Sequence, residues 1–246
     1  MSLTFSDTST KLGMIQACER YTGLGDTAIS GSATLLKEFT AHINQQNRKV
    51  WFMLFQAFGG WQYDDSNQTD LPYATTTLVA SQTGFAIPAN AVTIKGVEIL
   101  NEGGVWEKLS PIALEQIQEY SPIGEFFNVA GTPRYYQLIG RTLKIYPKSD
   151  TTTTSGLKVF FDRGSVDFAS TDTTKTPGFI GEFHDILPIG ASLEWLKINK
   201  PGDGTTANLR ADFNESQNNI KKFYQARFQE EFPPKLRVND ALLSSF

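Results

Sequence analysis

One cysteine, Cys18, and two histidines, His42 and His184, are all that 246 residues offer of the side chains most used in redox chemistry and metal ligation. A lone cysteine excludes an intrachain disulfide framework and a four-cysteine zinc site. Cys18 falls in a predicted amphipathic helix and reads as a small buried hydrophobe. Each histidine stands among apolar or amide neighbours, and a Ser-His-Asp or Cys-His arrangement could use only one of them. His184 and Asp185 are adjacent, so on a helix they point apart. Positive charge is also short. The 22 Lys and Arg against 26 Asp and Glu leave a net charge of -4, without the basic clustering that grips nucleic-acid phosphates. No run approaches the ~20 apolar residues of a membrane span, and Met1 to Thr10 is too polar for a secretory signal. The expectation is a soluble protein made in a cytoplasm, with no membrane partner.

Nucleotide and metal motifs are missing as well. Gly23-x-Gly25 has no strand before it and no third glycine, and the loop Pro201 to Asn208 (PGDGTTAN) lacks the Gly-Lys-Ser/Thr of a P-loop. Asp64 to Asp70 has a faint calcium-loop look. Counted from Asp65, however, Asp70 falls where the loop needs glycine and Thr76 where it needs glutamate. Glu98, Glu102, Glu107, Glu115, Glu119 and Glu125 could supply a carboxylate pair for glycoside hydrolysis, but sequence shows no separation. No residue is therefore assigned a catalytic, cofactor-binding or metal-binding role, no cofactor is implied, and the chain reads as a non-enzyme.

What is present is core material. Hydrophobic residues make up 40% of the chain and 18 are Phe, which excludes long-range disorder. The length allows one large domain or two small ones. The chain is organised around Gly181 to Lys200 (GEFHDILPIGASLEWLKINK). Phe183, Ile186, Leu187, Leu193, Leu196 and Ile198 recur at spacings of three and four, with Trp195 beside them. Pro188 suits a first helical turn, and Asn199-Lys200-Pro201-Gly202 is a strong stop.

Taken in order, Met1 to Asp7 reads as a loose polar arm. Ser9 or Thr10 starts a helix to about Tyr21, with Leu12, Ile15 and Cys18 inward. A long helix runs from Ser32 or Thr34 to Phe58. Leu35, Phe39, Ile43, Val50, Leu54 and Phe58 face inward, while His42, Asn44, Gln45, Asn47, Arg48 and Lys49 are mostly outward. Gly59-Gly60 ends it.

From Trp61 to Arg163 the period changes. Leu71–Val79, Gly84–Ile87, Val92–Leu100 and Val105–Leu109 read as strands, the last two joined through the turn Asn101 to Gly104. Pro111 to Tyr120 reads as a short helix, and Ser121 to Thr132 as a loop exposing Phe126 and Phe127. Pro133 to Pro147 is a hairpin turning at Ile139-Gly140-Arg141. Leu157 to Asp162 is a further strand, and Ser165 to Thr176 a polar, mobile loop. The last helix runs from Asn208 to about Glu231, with Leu209, Phe213, Ile220, Phe223, Tyr224 and Phe228 on one face. Pro233-Pro234 ends it. An apolar tail follows, carrying Leu236, Val238, Leu242, Leu243 and Phe246.

Helices at both ends of the chain can meet only if the β block is an insertion. The fold class expected is α+β: a helical bundle from residues 1–60 and 182–246, with an antiparallel β domain, 61–181, inserted.

One family resemblance adds to this reading. The strand Pro133 to Gly140 (PRYYQLIG), then Leu143 to Pro147 (LKIYP), then Leu157 to Phe161 (LKVFF), then Phe183 to Pro188 (FHDILP), in this order, resembles head-to-tail adaptor proteins of tailed bacteriophages, also called neck or connector proteins. The resemblance spans roughly residues 30 to 232. It implies a structural virion protein that forms a homo-oligomeric ring, commonly twelve-fold, between the portal protein and the tail or a second neck protein. DNA passes through the lumen during packaging and ejection, and no reaction is catalysed. Two features of the residues agree. Mild acidity suits a lumen past which a polyanion slides. Phe126, Phe127, Leu236, Val238, Leu242, Leu243 and Phe246 are candidate partner-interface residues, since exposed apolar groups mark interfaces. Gln217, Asn218, Lys221 and Gln225 could supply a polar ring contact. Two alternatives belong to other classes. One is a tail-tip carbohydrate- or receptor-binding module using Tyr135, Tyr136 and Trp106 as stacking platforms. The other is a hydrolase using Glu107 or Glu125.

Overall fold

A computed structural model describes residues 2–57, 73–113, 129–202 and 204–231. They form an α+β protein with four α-helices and two four-stranded sheets among the described residues. The chain divides into two compact units. Residues up to 57 and from 165 onward make one, and residues 73–164 make the other.

The first unit is built on α3, Ile186–Asn199. Every residue from Ile186 to Leu193 is buried, then Trp195 and Leu196. A helix apolar all round must be covered on every side, and α3 packs against α1 (Met14–Thr22), α2 (Ala33–Ala57) and α4 (Thr205–Glu231). Pro188 sits in its first turn, where a missing N–H costs nothing. Only Ile198, expected inward, is 70% exposed in the last turn. From α2, Phe39, Ile43, Val50 and Leu54 enter the same core as expected, with Leu35 half-buried.

Three expectations are corrected here. The N-terminal arm is docked: Leu3 and Phe5 are buried, and the carbonyls of Thr4 and Phe5 accept the N–H groups of Met14 and Ile15 at 2.9 and 3.1 Å. These contacts satisfy two of the amides that any helix start leaves without partners. The first helix begins at Met14 rather than at Ser9 or Thr10, because the Asp7 carboxylate holds a turn at Ser9 and Thr10 and Lys11 takes a left-handed φ of 63°. Leu12 is consequently outside the helix and exposed.

The third correction concerns residues 165–181, expected within the β domain, with Ser165 to Thr176 as a mobile loop. They belong to the helical unit. Asn44 donates Nδ2 to the Phe168 carbonyl at 2.9 Å and accepts the Phe168 N–H through Oδ1 at 2.7 Å. Asn47, fully buried, donates to the Val166 carbonyl at 3.2 Å. Neither amide faces outward as its helical position suggested. Arg48 pairs with Asp167, and Phe168 stacks on Phe5 with centroids 5.1 Å apart.

The second unit has one sheet ordered β1 (Tyr73–Leu78), β8 (Thr153–Arg163), β3 (Ala91–Leu100) and β4 (Trp106–Lys108). The other is ordered β2 (Gly84–Ala86), β7 (Thr142–Tyr146), β6 (Tyr135–Ile139) and β5 (Ser110–Pro111). All pairs are antiparallel except β5 with β6. Leu78, Val97, Ile99, Leu157 and Val159 of the first sheet and Phe85, Leu143 and Ile145 of the second share one buried cluster. Both expected hairpins form. Gly104 and Gly140 take φ of 74° and 59°, the left-handed conformation these turns need and glycine reaches without strain.

Phe58, Gly59-Gly60, the loop Asp64 to Asp70, most of the expected helix Pro111 to Tyr120, Pro233-Pro234 and the side chain of Phe228 lie outside the described residues.

Candidate functional site

α4 carries 27 residues, a length of about 40 Å at the helical rise. Its buried contribution is narrow. Leu209, Ile220 and Tyr224 are buried and Phe213 is half-buried, while Phe223, expected inward, is 41% exposed and lies edge-on to Tyr224 and tilted on Phe183. The Tyr224 hydroxyl accepts the Ile180 N–H at 3.3 Å, which ties the helix to the segment before α3. Most of its other described side chains, up to residue 227, are exposed. Asn218, Lys221 and Gln225 are exposed and Gln217 is half-buried. Side-chain amides both donate and accept, so this row can match a second polar surface.

The outer face of the first sheet carries the other concentration of unusual side chains. Register places Tyr73 opposite Phe160, and Lys158 opposite Glu98. The Lys158 ammonium stands 3.7 Å from the Trp106 ring centroid, with Tyr73 and Phe160 at 5.6 and 5.8 Å and a Glu98 oxygen at 3.8 Å. The face of Trp106 is therefore occupied by the chain's own cation. Tyr135 and Tyr136 are on the other sheet, and successive strand residues point to opposite faces. Tyr135 is exposed, while Tyr136 packs against the buried cluster. The three aromatic residues suggested as a stacking platform do not share a surface.

The titratable groups are structural in their contacts. His184 is buried. It accepts the Leu3 N–H through Nδ1 at 3.0 Å and donates Nε2–H to the Phe179 carbonyl at 2.8 Å. Burial pushes its pKa below the ordinary imidazole value. His42 lies 4.0 Å from Glu38, one turn away on α2. Burial raises the Cys18 thiol to about 12, far from the lowered values of reactive cysteines. Glu107 accepts from Asn101 at 2.6 Å, while Glu98 pairs with Lys158 across the sheet. Neighbouring register positions turn these two carboxylates to opposite faces. Among the described residues no group of three or more His, Cys, Asp or Glu could hold a metal ion, and no helix is long and apolar enough to cross a membrane.

No protein-family model and no curated protein matches the chain.

The candidate interface residues Phe126, Phe127, Leu236, Val238, Leu242, Leu243 and Phe246 lie outside the described residues, as do Glu115, Glu119 and Glu125. One buried group was not legible at all. Glu19 accepts the N–H groups of Ile29 and Ser30 at 3.0 and 2.8 Å and the Ser30 hydroxyl at 3.0 Å, closing the loop between α1 and α2. Nothing at Cys18-Glu19-Arg20 distinguishes it from a solvated helix residue. Only the Gly-rich loop after it hints that something must bind those amides.

Proposed function

We propose that this protein is a structural component of a phage virion, a head-to-tail adaptor that forms a ring between portal and tail, with DNA passing through its lumen and no reaction catalysed. The observation that carries the reading is α4. It is a 27-residue helix held by a narrow apolar stripe, with amide and charged side chains open along residues 205–227. Its open polar face could meet a second polar surface, and a closed ring needs every copy to offer one face to the next. In this reading a helical bundle from both chain ends forms the ring wall, the β insertion faces outward or tailward, and the ring is commonly twelve-fold. The tail residues Leu236, Val238, Leu242, Leu243 and Phe246 dock on the portal. Phe126 and Phe127 meet the tail or a second neck protein.

The test is negative-stain electron microscopy of the protein mixed with its neighbouring portal, beside a copy ending at Pro234. Ring density below the portal, lost on truncation, is the expected result. Density that survives truncation keeps the ring and moves docking to α4. No association with the portal in either sample rejects the adaptor reading.

A further inference from the structure

A cleft of about 290 Å³ opens between α2, α3 and α4 on the helical unit. Its floor is apolar, formed by Gly190, Leu193 and Phe213, and the buried amide of Gln46 closes one wall. The floor exists because residue 190 is glycine. A Cβ there would stand 2.8 Å from the Phe213 ring and 2.9 Å from Gln46. Three cations line the rim, one from each helix: Lys49, Lys197 and Arg210. Glu194 takes up two of them, 3.6 Å from Lys49 and 3.5 Å from Lys197. Arg210 has no ion-pair partner among the described residues. In a chain with net charge -4, a concave spot with surplus positive charge over an apolar floor stands against the general field.

We propose that this cleft binds an organic carboxylate: a single anionic group on Arg210, with its apolar stem over Leu193 and Phe213. Three cations against the one Glu194 carboxylate leave a surplus of two positive charges. Arg210 is nevertheless the one of the three without an ion-pair partner among the described residues, and Glu194 beside the two lysines repels a second negative charge, which favours a single carboxylate. The guanidinium fork matches a carboxylate in two parallel hydrogen bonds. Two sources carry this chemistry, a free small acid or an Asp or Glu side chain of a second copy. The proposal does not depend on the adaptor reading.

The probe is 3-phenylpropionate, titrated into the full chain and followed by amide chemical shifts at Gly190, Leu193 and Lys197. The expected Kd is about 1 mM, ordinary for a ligand of this size. Arg210→Glu, an exposed position, should weaken binding at least about tenfold. Lys37→Gln, exposed on α2 and not lining the cleft, should leave it unchanged. Sedimentation separates the sources. Self-association that the probe reverses identifies a neighbour's side chain, and a monomer that binds the probe identifies a free acid. Absence of localised shifts, equal binding of 3-phenylpropionamide or of inorganic phosphate, or indifference to Arg210→Glu would each overturn the proposal.

Discussion

The ammonium of Lys158 lies 3.7 Å from the centre of the Trp106 ring, between β8 and β4, which both flank β3. With Glu98 at 3.8 Å, the lysine joins three strands through one side chain that is only 18% exposed. Partly desolvated cation–aromatic pairs contribute on the order of 1 kcal/mol. Lys158→Met keeps the aliphatic stem and removes the charge. A double-mutant cycle of Lys158→Met and Trp106→Leu, read by urea denaturation, should give a coupling energy of about 0.5–2 kcal/mol. Additive single effects would mean the contact is incidental.

Asn44 binds both backbone groups of Phe168. Asn44→Ala leaves a buried N–H and C=O without their partner, at a cost of about 1–3 kcal/mol. Hydrogen exchange should show the Phe168 amide losing protection first, while amides in β3 and β8 keep theirs. Unchanged protection at Phe168 would contradict the docked arrangement of residues 165–180.

His184 sets a pH dependence. Its pKa in the folded state lies below the ordinary 6.5 because burial disfavours the imidazolium, and a charged ring could no longer accept the Leu3 N–H. The unfolded chain therefore binds the proton more readily. The contribution of the neutral ring is fully present above pH 6.5 and is lost as pH falls through that value toward the lower folded pKa. The melting temperature should drop from pH 7.5 to 5.0, and more in the wild type than in His184→Gln. Equal drops in the two proteins would assign the acid sensitivity elsewhere.

At Gly190 an added Cβ would stand 2.8 Å from Phe213 of α4 and 2.9 Å from Gln46 of α2. Alanine would ordinarily favour a helix interior by about 1 kcal/mol over glycine. Here the added methyl must push Phe213 and Gln46 aside, and overpacking costs about 1–3 kcal/mol. Gly190→Ala should therefore be neutral to destabilising by up to about 2 kcal/mol in thermal unfolding. A gain near the full helix-propensity value would show that α4 yields without cost.

The local skeleton can be read from the order of residues alone. α3 was legible because its apolar residues recur at spacings of three and four and a Pro-Gly stop follows them. The two hairpins were legible because glycine falls where each turn requires a left-handed residue. The switch from a helical period to alternation after residue 61 separated helix from strand. What tertiary structure alone decided is the fate of polar residues. Asn44, Asn47, Glu19 and His184 look like solvated or incidental positions, because periodicity reports hydrophobic neighbours three or four residues away. Their partners lie at Phe168, Val166, Ser30 and Leu3, and all but Ser30 stand more than a hundred residues distant in the chain. The same holds for Lys158 over Trp106 and for the cleft at Gly190. Each depends on which strands or helices become neighbours, and that follows from burying the whole apolar surface at once.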